Sequence, residues 1–97
     1  MLNTPVSPLG YDQITDLSAA VGLGTIPAGA TCAVLIPETQ SVRFRDDGVA
    51  PTAGVGMLLV VNVPYVYTGN LEAIEFIQAS ASAKLNIAFY SQPSVIY

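Results

Sequence analysis

Polar and apolar residues alternate most regularly in two stretches, Ser41-Val-Arg-Phe-Arg45 and Lys84-Leu-Asn-Ile-Ala-Phe-Tyr90. A two-residue period is that of a half-buried strand, since successive side chains point to opposite faces. Val42 and Phe44 are expected to face a core, with Ser41, Arg43 and Arg45 outward. In the second stretch Leu85, Ile87 and Phe89 turn inward. Thr31 to Ile36 is apolar after Thr31, as in a strand covered on both faces. Pro37-Glu-Thr39 is expected to end it, with Gln40 to Asp46 returning as its hairpin partner. Asp46-Asp-Gly48 supplies residues tolerant of the left-handed conformation that a reversal needs.

Weaker patterns fill the rest. Tyr11 to Ser18 fits a first strand, although Asp12 to Leu17 also fits a short helical turn. Ala19 to Gly24 is expected to be loop. Val55 to Asn62 has strand length and β-branched residues, with Gly56 marking a bulge or a close backbone approach. Pro64 to Thr68, headed by proline, suits an edge strand, and Gly69-Asn70 a turn. Leu71 to Gln78 alternates again, and one of Glu72 and Glu75 must face out in either register. Turns rich in Gly, Pro, Asn and Ser, and the absence of a sustained helical period, predict an all-β domain. The expectation is a small β-sandwich or jelly-roll-like barrel of six to eight short antiparallel strands. Its predicted core is Val34, Ile36, Val42, Phe44, Leu59, Ile74, Phe76, Leu85, Ile87 and Phe89. Residues 1–10, with two prolines and a glycine, suit an extended arm, residues 11–91 the domain, and residues 92–97 a tail.

Composition changes the picture in one respect. Only 10% of the 97 residues are charged, where roughly 25% is usual for a soluble domain. Either another protein covers much of the surface, or the chain lives in a membrane. Leu17 to Pro37 and Gly48 to Leu71 carry no charge and are long enough to span a bilayer as helices. Repeated Gly and Pro interrupt both, leaving apolar runs of strand length. A membrane barrel of eight strands would consume most of the chain. Protein contacts are therefore the expected partners. Met1-Leu-Asn-Thr-Pro5 lacks the basic segment and apolar run of a signal peptide. The single Cys32 lies among apolar neighbours, as a buried small hydrophobe would. A net charge of −4 with three scattered basic residues opposes nucleic-acid binding, which needs a basic stripe.

Candidate chemistry is sparse. The sequence has no histidine, which excludes imidazole acid–base steps and histidine triads. Asp46-Asp47 is the one adjacent acid pair; without the regular ligand spacing of a calcium loop it reads as a turn partnered by Arg43 or Arg45. Glu72, Glu75 and Asp47 have no local context for paired-carboxylate chemistry. Gly22-Leu-Gly24 and Gly54-Val-Gly56 lack the strand-to-helix setting of a nucleotide loop. No enzyme activity and no cofactor is expected. Tyr65 and Tyr67, two apart on one strand face, suit either a protein contact or a sugar-stacking platform. Arg43 and Arg45, also on one face, suit an acidic partner or solvent.

Several segments together are distinctive: Val42-Arg-Phe-Arg-Asp-Asp-Gly48, Pro51-Thr52, Gly56-Met57, Tyr67-Thr-Gly69, Leu71 with Ile74-Glu-Phe-Ile77, and Ala83-Lys-Leu-Asn-Ile87 with Tyr90. As a set, over residues 26–91, they resemble a group of small virion proteins of tailed bacteriophages. Members of that group typically carry tryptophan where this chain has Phe44. The resemblance implies a structural role in the particle. The expectation drawn from it is a capsid decoration or cement protein, acting in the virion after assembly in the bacterial cytoplasm. It would contact copies of itself, as a trimer, and the major capsid protein. Expected contact residues are Leu2, Pro5, Val6, Leu9, Arg43, Arg45, Tyr65, Tyr67, Val95, Ile96 and Tyr97. The competing expectations are a receptor- or glycan-binding fibre module using Tyr65 and Tyr67, and a neck or tail adaptor.

Overall fold

The computed structural model describes residues 7–91, and these are all strand, turn or irregular chain. Eight strands follow in order: β1 Ser7–Ile14, β2 Val21–Gly22, β3 Cys32–Glu38, β4 Val42–Arg45, β5 Met57–Leu59, β6 Tyr65–Tyr67, β7 Glu75–Gln78 and β8 Lys84–Ser91. They form two four-stranded sheets, ordered β1-β8-β3-β6 and β2-β7-β4-β5, with every pairing antiparallel. The nested pairs β1·β8, β2·β7, β3·β6 and β4·β5 define a long antiparallel ribbon rolled into two facing sheets. That order is an eight-stranded jelly roll. Only the β4–β5 connection stays within one sheet; every other connection crosses between them.

Three of those crossings turn on a non-glycine residue in the left-handed region: Thr39 (φ 68°), Asn62 (φ 65°) and Ser82 (φ 72°). A β-branched residue is rare there, and Thr39 is held by its hydroxyl. Thr39 Oγ1 lies 2.6 Å from Glu38 O and 2.5 Å from Ser82 O. The β3–β4 and β7–β8 crossings are thereby tied together at one end of the sandwich. Ser41 adds a second tie: its Oγ accepts the Val61 N–H, and its carbonyl accepts the Ala79 N–H.

The core is built from alternate residues of the inner strands. Val42, Leu35, Ile74, Phe76, Leu85, Ile87 and Phe89 are all essentially sealed from solvent. Leu17, Leu23 and Leu71, from irregular segments, are buried with them. Cys32 is buried, and its Sγ lies 3.7 Å from Tyr90 O.

Several expectations need correction. Val34 and Ile36 do not face the core; Ala33, Leu35 and Pro37 do. An unbroken apolar run has no alternation to set its register, so the pairing partner sets it. β8 alternates clearly, and Ala33, Leu35 and Pro37 lie opposite its buried Phe89, Ile87 and Leu85. Directly paired residues share a face. Pro37 continues β3 instead of ending it. Its carbonyl accepts from the Asn62 N–H, which places its missing donor on the side where the β6 ladder has already stopped at Leu35. Proline is tolerated at such a position.

β3 and β4 are not a hairpin, because they belong to opposite sheets. The first strand is Ser7–Ile14 and not Tyr11 to Ser18, so the boundary placed at residue 11 falls inside it. Residues 7–10 of the expected arm pair with β8, around a bulge between Pro8 and Gly10. β1 is an edge strand, where Pro8 costs no interior ladder bond. Val21–Gly22, within the expected loop, pairs with β7. Val55 to Asn62 is strand only at Met57–Leu59, and Leu71 to Gln78 only at Glu75–Gln78. Glu72 lies instead in a turn, where Asn70 Oδ1 accepts its N–H.

Candidate interaction surface

The residues singled out by sequence fall into three settings. Leu2, Pro5, Val6, Val95, Ile96 and Tyr97 lie outside the described residues. Leu9 sits at the β1 bulge, partly exposed. Arg43, Arg45 and Tyr67 are held in internal bonds, and Tyr65 is partly exposed.

Arg43 projects from the outer face of its sheet and holds the β4–β5 loop. Its Nε donates to Ala53 O at 2.9 Å and its Nη1 to Gly56 O at 3.0 Å. Arg45 donates from Nε to Asp47 Oδ1 at 3.0 Å and from Nη2 to Asp47 Oδ2 at 2.5 Å. This is the charge-partnered turn expected for Asp46-Asp-Gly48. The forked bond to Arg45 draws the exposed Asp47 carboxyl below its usual range.

Tyr65 and Tyr67 do share a face, but it is the inner one. Their rings lie 5.7 and 5.9 Å from that of Phe44 across the sandwich. Tyr67 is only 5% exposed, and its hydroxyl donates to Asp46 Oδ2 at 2.7 Å. As half of an exposed platform or a contact surface, Tyr67 is therefore corrected to a core residue. An edge strand of three residues can face the opposite sheet, and here β6 lies over Phe44. Burial of the phenol, reinforced by Asp46, pushes Tyr67 up to about 12. The folded value lies above the ordinary 10, so its contribution to stability is whole below pH 10 and lost as pH rises through about 12. In Tyr67→Phe, the cost at neutral pH is expected to be about 1–2 kcal/mol. The gap from the parent closes in urea titrations above pH 10; a gap constant through pH 12 would contradict this account.

Beyond Tyr65, sequence reasoning missed a group of exposed apolar side chains on β5, β6 and their connection. Met57, Leu58, Val60, Val63, Tyr65 and Val66 are each between 43% and 64% exposed. All come from the uncharged stretch Gly48 to Leu71, which was the available signal. β5 and β6 are the last strands of their respective sheets, with Leu58 on one outer face opposite Arg43 and Val66 on the other opposite Val34. Met57 lies opposite Phe44 on β4, and the Tyr65 ring packs on Phe44 from the other sheet, which joins the two edges. Beside Met57, a shallow depression of about 450 Å³ is lined by Val55, Gly56 and the Arg45–Asp47 turn.

Charge reaches this edge at the Arg43–Leu58 pair and at the Arg45–Asp47 turn. Arg43, Arg45 and Glu75 occupy the outer face of the β2-β7-β4-β5 sheet, with Arg45 directly opposite Glu75. Asp12 lies on β1, at the far edge of the other sheet. That sheet's outer face has a polar end, where Asn86 joins Gln13 and Glu38. Next to it runs a row without charge, Tyr11, Ala88, Val34 and Val66, continuous across all four strands. Fold and surface together define a jelly-roll domain whose β5–β6 edge carries several exposed apolar side chains. No protein-family model, curated protein or solved structure matches the chain.

Proposed function

We propose that this chain is a non-enzymatic structural protein of a tailed-phage virion, a decoration or cement subunit seated on the capsid. The observation that carries the reading is the number of exposed large apolar side chains on a chain with only 10% charged residues. Monomers rarely expose contiguous apolar patches beyond a few hundred Å², and a subunit covered by its neighbours has no need of a charged surface there. The assembly is read as a phage particle on the resemblance of residues 26–91 to small phage virion proteins. The jelly roll is compatible with it, since shells use that fold, although lectins and cupins do too. Tyr67, one of the two tyrosines on which the glycan-binding alternative depended, is buried and bonded to Asp46, which speaks against that alternative.

A small domain gains hold on a shell through many symmetric, repeated contacts. Purified chain mixed with shells that lack it is therefore expected to co-sediment and to saturate at a fixed number of copies per shell. Failure to bind any state of the shell, immature or expanded, would refute the placement.

A further inference from the structure

We propose that Asp47–Gly48 is a site of spontaneous aspartate isomerisation in this chain, and that the Arg45 fork is the device that holds it in check. It is the one place in the 97 residues where an aspartate or asparagine precedes glycine. Glycine has no Cβ, so nothing hinders its amide nitrogen from approaching the carboxyl group before it. The turn is also open to solvent, with Asp46, Asp47 and Gly48 all exposed and Gly48 at φ 86°.

The reaction needs only water. A bond forms from the Gly48 amide nitrogen to Asp47 Cγ, and the Cγ–OH bond of the neutral acid breaks. The amide proton leaves with that hydroxyl as water, closing a succinimide ring. Water then opens the ring at either carbonyl, giving back aspartate or giving isoaspartate, with no change of mass. Isoaspartate carries the main chain through Cβ and Cγ and lengthens it by one carbon. The extra atom would fall between Asp46, held by the Tyr67 hydroxyl, and the loop fixed by Arg43.

The Arg45–Asp47 pair lies on the surface, with the aspartate side chain 55% exposed, and such a pair adds little to folding stability. Its geometry bears on the carboxylate instead. Arg45 Nε and Nη2 take one oxygen each, at 3.0 and 2.5 Å, the bidentate arrangement that favours the ionised form. The ionised form does not react, because it has no hydroxyl to expel. Arg45 draws the Asp47 carboxyl below its usual range, with smaller help from the backbone amides of Asp47 and Val49, so less neutral acid is present at neutral pH. Ring closure must also pull Cγ off the guanidinium, breaking both bonds. Arg43, on the same face, is committed to Ala53 O and Gly56 O and does not share the task.

The test is to age the full chain for several weeks in warm neutral buffer and count isoaspartate at residue 47 by peptide mapping. The same chain unfolded in urea gives the unguarded rate. The folded parent is expected to isomerise at least about tenfold more slowly, the scale set by hydrogen bonds to a charged group. Arg45→Gln is expected to lose most of that protection. Arg43→Gln frees the β4–β5 loop but leaves the Asp47 carboxylate paired, and is expected to keep the parent's rate. Thermal midpoints are recorded for each. Should Arg45→Gln not stay folded, Arg45→Lys, which keeps the charge and loses the fork, takes its place with a smaller rise expected. An Arg45 variant that ages no faster than the parent, or equal acceleration by Arg43→Gln, would overturn the proposal. So would a parent that ages as fast folded as in urea.

Discussion

Leu35→Ala is expected to lower the unfolding free energy by about 3–5 kcal/mol, the range for a buried leucine that leaves a cavity. Val34→Ala, one residue earlier, is expected to cost only about 1 kcal/mol. Leu35 is sealed between the sheets opposite Ile87, whereas Val34 stands in the outer row beside Ala88 and Val66. The two substitutions therefore read the register of β3 directly. Urea denaturation of both variants gives the comparison, and a reversed ranking would mean that β3 is shifted by one residue.

Gly56→Ala is expected to be nearly as damaging, at about 2–4 kcal/mol. Gly56 has φ of 146°, where a side chain alone costs about 1–3 kcal/mol. A Cβ there would also meet Phe44 O at 3.1 Å, Arg43 Cβ at 3.2 Å and Pro51 Cβ at 3.3 Å. None of these yields easily, because Arg43 is fixed by its bond to the Gly56 carbonyl and Phe44 by both tyrosines. The strain would lift the β4–β5 loop from the sheet. A denaturation midpoint within error of the parent would contradict the tight approach.

These two positions mark what the chain makes legible and what it hides. Gly56 was readable: a glycine in an otherwise β-branched stretch signals a close backbone approach, and one is there. The inward faces of β4 and β8 were readable for the same reason, because Val42, Phe44, Leu85, Ile87 and Phe89 alternate with polar neighbours. β3 was not, since Cys32 to Pro37 offers apolar residues at every position and its register is dictated from β8. Strand partners were hidden as well. Adjacent strands usually pair, but a jelly roll sends all connections but one across to the other sheet, and the left-handed Thr39 that makes the β3–β4 crossing is an unlikely residue for that conformation.

The surface was half legible. The low charge content pointed to covered surface, whereas the uncharged run from Gly48 to Leu71 was weighed only as a membrane span. Which residues stood exposed depended on β5 and β6 both being edges, a property of topology. Arg43, Arg45 and Tyr67 looked like recognition residues because polar and aromatic groups on a strand can serve a partner or the fold alike. Here Arg43 holds a loop, Arg45 a turn and Tyr67 the ring of Phe44 and the carboxylate of Asp46.

The central claim is that this domain is an assembly subunit of a phage head. Reconstruction of purified virions, refined with the local symmetry of the shell, tests it most directly. The account predicts a two-sheet density of this size on the outer capsid surface, repeated at every equivalent position. Virions whose density and peptide content lack the chain altogether would contradict it.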